Sequence, residues 1–134
     1  MISVHLTFAG RCEEAFRFYE RTLGGTRLFL MRWRDSPAAG DVPADFGDKV
    51  VHATLTLGDA QLAGADVPAA GYQRPCGFYV LFSAATRADA ERIFAAFADG
   101  GEVQMPLAQT FWSPAFGVVV DRYGTPWEIT VTAA

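Results

Sequence analysis

Residues 2–8 alternate apolar and polar side chains, which is the period-2 pattern of a β-strand. From Glu13 to Leu23 the apolar residues recur at helical spacing, and the pair Gly24-Gly25 supplies a helix C-cap. Further strand patterns cover residues 26–33, 49–57 and 60–65. Residues 35–48 are rich in Pro, Gly and Asp and show no period, which predicts an irregular loop.

The second half of the chain repeats this order. A strand pattern covers residues 78–83, and Thr86 with Asp89 forms a capping-box-like helix start. The apolar positions of this helix lie 75 residues after those of the first, and Gly100-Gly101 closes it. Three more strand patterns follow, at residues 103–107, 116–120 and 127–131.

This repetition predicts an α+β fold of two tandem βαβββ modules, residues 1–65 and 66–134, within one structural domain. A helix would cover one face of each sheet and leave a more polar face open. Two such sheets side by side would form a curved mixed sheet or an open barrel around a cavity.

Aromatic residues are concentrated in the C-terminal part of the chain. The turn Tyr123-Gly124-Thr125-Pro126 predicts a hairpin in which residues 118–120 pair with residues 127–131. In the last strand Trp127, Ile129 and Val131 point one way and Glu128 the other. The hairpin therefore predicts a pocket floor with a carboxylate on its open face.

Composition and charge reduce the number of possible functions. The 134 residues are 51% hydrophobic and 19% charged, which is typical of one globular domain. A net charge of −4 without a run of basic residues argues against a nucleic-acid partner. No apolar stretch approaches the ~20 residues of a membrane span, and the N-terminus lacks a basic leader, so we expect a cytoplasmic protein. Cys12 and Cys76 are too far apart for a metal motif and indicate two free thiols.

Two stretches carry a family resemblance: FAGRCEEAFRFYERTLGG after the first strand, and MPLAQTFWSPAFGVVVDRYGTPWEI near the end. With the tandem βαβββ order, they resemble the vicinal-oxygen-chelate superfamily, which includes glyoxalase I, bleomycin and fosfomycin resistance proteins and extradiol dioxygenases. Within it the chain is most similar to the PhnB-like branch. The resemblance implies the fold and leaves the reaction open, because this scaffold hosts metal-dependent enzymes and metal-free binding proteins.

The resemblance also implies where a divalent metal (Zn, Mn, Fe or Ni) would bind. The superfamily uses four inward positions on the first and last strands of the two modules, and two of them correspond to His5 and Glu128. By the internal repeat the other two are Tyr79, or Phe78 if the register slips, and about Leu62. None of these three is a good ligand, and Zn²⁺ usually takes three protein ligands.

Each candidate site residue also has a structural interpretation. His5 is a metal ligand, a neutral ligand contact or a hydrogen-bonded sheet residue. Glu128, between Trp127 and Ile129, is the best candidate for a catalytic group, either as a general base or as a partner for a cation. The alternative is an ordinary salt-bridged or solvated strand carboxylate. His52 lies on a polar strand face. Trp112, close to Gln109 in an aromatic loop, suits a pocket wall or a dimer interface equally well.

Together these residues predict a homodimer that binds a small, partly apolar molecule in a cavity, with no assigned reaction. The predicted lining residues are His5, His52, Tyr79, Gln109, Trp112 and Glu128. One alternative is a metal-dependent lyase, isomerase or transferase with His5 and Glu128 as ligands. Another is a resistance protein that sequesters a toxic compound without turnover. Whether the chain is an enzyme stays open at this level.

Overall fold

The computed structural model describes residues 1–132, in which the chain forms two compact units, residues 1–73 and residues 74 onward. The first unit contains β1 (Val4–Phe8), α1 (Cys12–Leu23), β2 (Arg27–Arg32), β3 (Val50–Leu57) and β4 (Ala60–Asp66). The second contains β5 (Val80–Ala84), α2 (Arg87–Ala98), β6 (Glu102–Ala108), β7 (Phe116–Val120) and β8 (Pro126–Val131). The predicted α+β class is confirmed, and both units run β-α-β-β-β.

Each unit holds a four-stranded mixed sheet, and the two sheets have the same topology. The strand orders are β1-β4-β3-β2 and β5-β8-β7-β6. The first strand of each unit pairs in parallel with the last, and the other neighbours are antiparallel. The predicted C-terminal hairpin is confirmed, since Val120 pairs with Pro126 and Val119 with Trp127. Gly124 in its turn has φ of 91°, a value that favours glycine.

One face of each sheet is covered by the helix of its own unit. In the first unit Phe16 and Tyr19 of α1 are fully buried with Leu55 of β3. In the second, Phe97 of α2 stacks on Trp127 with their ring centroids 4.7 Å apart. These faces are the cores of the two units, and no α-helix of the described part of the chain covers the opposite faces.

Two glycines let the helices approach their sheets closely. A Cβ added to Gly64 on β4 would lie 2.5 Å from the Phe16 ring. A Cβ added to Gly117 on β7 would lie 2.6 Å from the Phe94 ring. Any side chain at either position would push the helix away from the sheet.

The two helices begin in different ways. The Thr86 hydroxyl accepts the Asp89 backbone N–H at 3.1 Å, as the sequence predicts for α2. In α1 the cap position is Arg11, whose side chain makes no capping bond. The Asp66 carboxylate, at the end of β4, instead accepts the backbone N–H groups of Gly10 and Cys12, both at 2.9 Å.

Asp66 also fixes the start of β3 and the loop before it. Its second carboxylate oxygen accepts the Val50 N–H at 3.0 Å, and its carbonyl accepts the Trp33 indole N–H at 3.1 Å. The loop itself, predicted as irregular, contains three single-turn 3₁₀ helices, Trp33–Asp35, Ala39–Asp41 and Ala44–Phe46. The Trp33 and Phe46 rings lie 6.4 Å apart. One buried residue thus anchors three separate segments of the first unit, two through its carboxylate and one through its backbone carbonyl.

Candidate functional site

The open face of the second sheet carries a row of four side chains, one from each strand. The strand register places Leu81, Glu128, Val118 and Met105 side by side across β5, β8, β7 and β6. Leu81 is 59% exposed and Met105 is 45% exposed, whereas Val118 is buried. The row is therefore an apolar strip that contains a single acidic group.

Glu128 is half-buried at the centre of this row. Its neighbours in the two adjacent strands, Leu81 and Val118, offer no hydrogen-bonding group from their side chains. Within residues 1–132 its carboxylate has no hydrogen-bond or ion-pair partner in the protein. A carboxylate in such surroundings can accept a hydrogen bond from a bound molecule or neutralise a cationic group on it.

The loop between β6 and β7 continues this surface with aromatic side chains. Phe111 is 97% exposed and Trp112 is 51% exposed, and their ring centroids lie 4.6 Å apart. Trp112 also contacts the Phe116 ring at 5.2 Å. Gln109, the first residue after β6, is exposed. The structure therefore places Trp112 on the surface next to the start of β7.

Ser113 fixes this aromatic loop to the sheet, and sequence reasoning missed it. Its buried hydroxyl lies 2.9 Å from the Thr130 hydroxyl and 2.8 Å from the Val131 carbonyl oxygen. Thr130 belongs to the same strand as Glu128, on the same open face. A small hydroxyl residue directly after an exposed aromatic pair was the available signal.

Tyr79 lies just before β5 and borders a separate cavity of the second unit. Its hydroxyl donates a hydrogen bond to the Gln104 side-chain oxygen at 3.2 Å. The cavity has a volume of about 380 Å³, and Phe78, Val120 and Arg74 also line it. Glu128 is not among its lining residues.

The two histidines lie on the open face of the first sheet. His5 on β1 is exposed, and its row across the sheet continues through Ala63, Thr54 and Phe29. His52 on β3 is also exposed, and its ring lies 6.3 Å from that of Phe29. The first unit thus contributes the predicted histidines, and the second contributes Tyr79, Gln109, Trp112 and Glu128.

The strand register also corrects the repeat partners expected for a metal site. β5 begins at Val80, one residue beyond Tyr79, so the residue that corresponds to His5 is Leu81. The residue that corresponds to Glu128 is Ala63. Neither Leu81 nor Ala63 can bind a metal ion through its side chain.

The donor set therefore does not fit a protein-bound divalent metal. Two of the four expected positions carry donor side chains, and structural or catalytic Zn²⁺ sites usually have at least three. Among residues 1–132 no cluster of three or more His, Cys, Asp and Glu side chains is arranged to hold a metal ion.

The two cysteines are both free, as predicted, and differ in environment. Cys12 is fully buried at the start of α1, and Cys76 is exposed beside the cavity near Tyr79. Burial raises the pKa of the Cys12 thiol well above its ordinary value, and the nearby Asp66 carboxylate raises it further. Cys12 is therefore an inert core residue, while Cys76 is open to solvent.

Neither helix in residues 1–132 has the length and hydrophobicity needed to cross a bilayer.

Of the predicted site residues, the structure groups Glu128 with the open apolar face of the second sheet. It places Tyr79 at the neighbouring cavity and the two histidines in the other unit.

Comparisons with known proteins agree with this fold. The chain is similar to protein PA1353 from Pseudomonas aeruginosa, with 40% identity, a TM-score of 0.89 and coverage of 98% of this chain and 97% of that one. It is 29% identical to the Escherichia coli protein YjdN, over 97% of this chain and 94% of YjdN. The PhnB protein from Bacillus cereus shares the fold at 24% identity and a TM-score of 0.79, with 98% of both chains covered.

These comparisons confirm the family resemblance seen in the sequence, and they assign no specific reaction to this chain. A sequence profile of the same family matches residues 3–129, nearly the whole chain. The chain therefore belongs to the Glyoxalase/Bleomycin resistance protein/Dioxygenase superfamily.

Proposed function

We propose that this protein binds a small, partly apolar molecule on the open face of its second sheet, with the Glu128 carboxylate pairing a cationic or hydrogen-bond-donating group of that molecule. The observation that carries this proposal is the row Leu81, Glu128, Val118 and Met105. A half-buried carboxylate that has no partner among residues 1–132, set among apolar side chains, matches a ligand that is apolar with one positive or donor group.

The exposed aromatic loop supports the same proposal. Leu81, Met105 and Trp112 leave large apolar areas open to water on this side of the second unit. Contiguous apolar surface of this kind is costly for a soluble chain and marks a place where a ligand or partner binds. Ser113 and its hydrogen bonds hold the loop at the edge of this surface.

The test uses benzyltrimethylammonium, which combines one apolar ring with a positive charge. Titration followed by backbone amide chemical shifts should move the signals of Leu81, Val118 and Met105 first. Glu128→Gln should weaken binding about three- to tenfold, because it removes a charge-assisted contact from a partly exposed site.

Two controls make this result specific. Glu102→Gln removes an exposed carboxylate from the edge strand β6 of the same sheet and should leave binding unchanged. Toluene, which has neither a charge nor a hydrogen-bond donor, should bind equally to the natural protein and to Glu128→Gln. Shifts that fall elsewhere, or equal loss in both glutamate variants, would refute the proposal.

Metal titration separates this function from a metal-dependent reaction. With two donor side chains at the four family positions, we expect less than one equivalent of Zn²⁺, Mn²⁺, Fe²⁺ or Ni²⁺ in protein purified without an affinity tag. Tight, stoichiometric metal that disappears in both His5→Ala and Glu128→Ala would establish the metal-dependent alternative.

The predicted homodimer and the predicted cytoplasmic location stay predictions. Exposed apolar side chains such as Phe111 are compatible with a second copy of the chain as well as with a ligand. Sedimentation equilibrium of the natural protein and of Phe111→Ser tests the dimer, which the substitution should weaken if Phe111 lies in its interface.

A further inference from the structure

The cavity beside Tyr79 is distinct from the row that contains Glu128. It lies at the end of the second sheet where β7 finishes and β8 begins, and Val120 and Pro126 form part of its wall. Phe78 and Tyr79 add two aromatic rings. A volume of about 380 Å³ is near the small end of the range for ligand pockets and suits a molecule with a single ring.

Arg74 gives this cavity a positive charge. Arg74 lines the cavity, and its guanidinium forms no ion pair or hydrogen bond within residues 1–132. By contrast Arg87 and Arg122 in the same unit are paired with Glu91 and Asp99. An arginine whose five donors are unused by the protein, next to an apolar cavity, is suited to a planar anion such as a carboxylate.

A second polar group completes the cavity. The Tyr79 hydroxyl donates to the Gln104 side-chain oxygen, so the Gln104 amide N–H groups stay available to an acceptor in the cavity. Aromatic walls, one cation and one amide donor together describe a ligand with a ring and an anionic oxygen group.

We propose that the cavity formed by Arg74, Phe78, Tyr79, Gln104, Val120 and Pro126 is a binding site for a small aromatic carboxylate. The carboxylate pairs with Arg74, and the ring packs against Phe78 and the Val120 wall. This site goes beyond the function proposed above, because it uses none of the residues of the Glu128 row and selects a ligand of opposite charge.

Cys76 provides a direct readout of this site. It lines the same cavity and is exposed, whereas Cys12 is fully buried and serves as an unreactive internal control. A neutral alkylating reagent such as iodoacetamide should therefore modify Cys76 alone, as mass spectrometry of the intact protein and its peptides would show.

Benzoate is the probe, and benzamide is its neutral counterpart. Benzoate should slow the alkylation of Cys76 saturably, with half of the effect at a concentration on the order of 1 mM, as expected for so small a ligand. Benzamide should protect at least tenfold less well. Arg74→Gln should raise the half-effect concentration of benzoate about tenfold, because it removes the charge-assisted pair.

Two further variants keep the result interpretable. Arg27→Gln removes an exposed arginine of the first unit that also lacks an ion pair in residues 1–132, and it should leave protection by benzoate unchanged. Gln104→Trp, at an exposed position, should fill the cavity and abolish protection while the protein stays folded by circular dichroism. No protection at all, equal protection by benzamide, or protection that survives both Arg74→Gln and Gln104→Trp would each overturn the proposal.

Discussion

The two units have the same order and pairing of secondary-structure elements, but different residues stabilise corresponding positions. Their helices start 75 residues apart and end 75 residues apart, and their strands pair in the same order. Yet α2 is capped by Thr86, its immediate neighbour, while α1 is capped by Asp66, which lies 54 residues beyond Cys12. The same helix position is therefore stabilised locally in one unit and through the tertiary fold in the other.

The open faces of the two sheets also carry different side chains at corresponding positions. Corresponding rows read His5, Ala63, Thr54 and Phe29 in the first unit, and Leu81, Glu128, Val118 and Met105 in the second. The helix-covered faces are apolar in both because both must exclude water. The open faces have no such requirement, so they are where the two units diverge and where a ligand site can develop.

The strongest test of the capping difference is Asp66→Ala. It leaves the N–H groups of Gly10, Cys12 and Val50 without their acceptor, and we expect a loss of about 3 kcal/mol in the free energy of unfolding, because the last two are buried. Urea denaturation followed by circular dichroism measures this loss. Asp45→Ala, at an exposed position of the same unit, should change stability by less than about 0.5 kcal/mol. Equal effects of the two substitutions would show that Asp66 does not anchor α1.

A second test concerns how closely each helix packs on its sheet. Gly64→Ala and Gly117→Ala should each cost about 2 kcal/mol, because the new methyl group would overlap the Phe16 or Phe94 ring. The contacts lie on β4 in one unit and on β7 in the other, so the two variants probe non-equivalent strands. Gly40→Ala, where an added methyl group meets no atom within 4 Å, is the matched control and should be neutral. A neutral Gly64→Ala would mean that α1 can move away from β4 without cost.

Thr86→Ala tests the local cap and should have a smaller effect than Asp66→Ala. It removes one acceptor from the start of α2, for which we expect a loss of about 1 kcal/mol. Thr86→Ser keeps the hydroxyl and should restore most of the stability. If Thr86→Ala cost as much as Asp66→Ala, the distinction between a local and a long-range cap would not hold.

The same distinction explains what the sequence could predict. The Thr86 cap, the turn at Gly124 and the apolar spacing within each helix depend on residues close together in the chain, and all three agree with the structure. The cap on α1 could not be read from the sequence, because nothing near Arg11 indicates that Asp66 faces it.

Less of the candidate site than of the fold could be predicted from the sequence. Alternation in the last strand placed Glu128 on the open face, as the register shows. The start of β5 falls two residues later than the pattern suggests, so Leu81 rather than Tyr79 corresponds to His5. A strand boundary depends on pairing with a distant strand, here β8, and a single sequence carries no measure of that pairing.

The smallest expected effect comes from an ion pair that joins α1 to its own sheet. Glu13 pairs with Arg32 of β2 at 2.9 Å, and a hydrogen bond from Arg32 is the main reason that the pKa of Glu13 is lowered. Because the folded-state pKa lies below the unfolded one, the pair stabilises the protein at neutral pH. This contribution declines as the pH falls below about 4, the ordinary range of a glutamate, and disappears once the folded-state pKa is passed.

Glu13→Gln should therefore lower the free energy of unfolding by about 0.5 kcal/mol at pH 7, a modest value because both side chains are about one third exposed. The difference from the natural protein should shrink when urea denaturation is repeated at about pH 3. In the second unit, Glu91 pairs with Arg87 within α2 itself, and Glu91→Gln should cost about 0.3 kcal/mol at pH 7. If Glu13→Gln cost no more than Glu91→Gln, or if its effect persisted unchanged in acid, the contact between α1 and β2 would add nothing beyond a local helix pair. The start of α1 would then be held by Asp66, by the hydrogen bond from Lys49 Nζ to the Gly10 carbonyl and by its own buried residues.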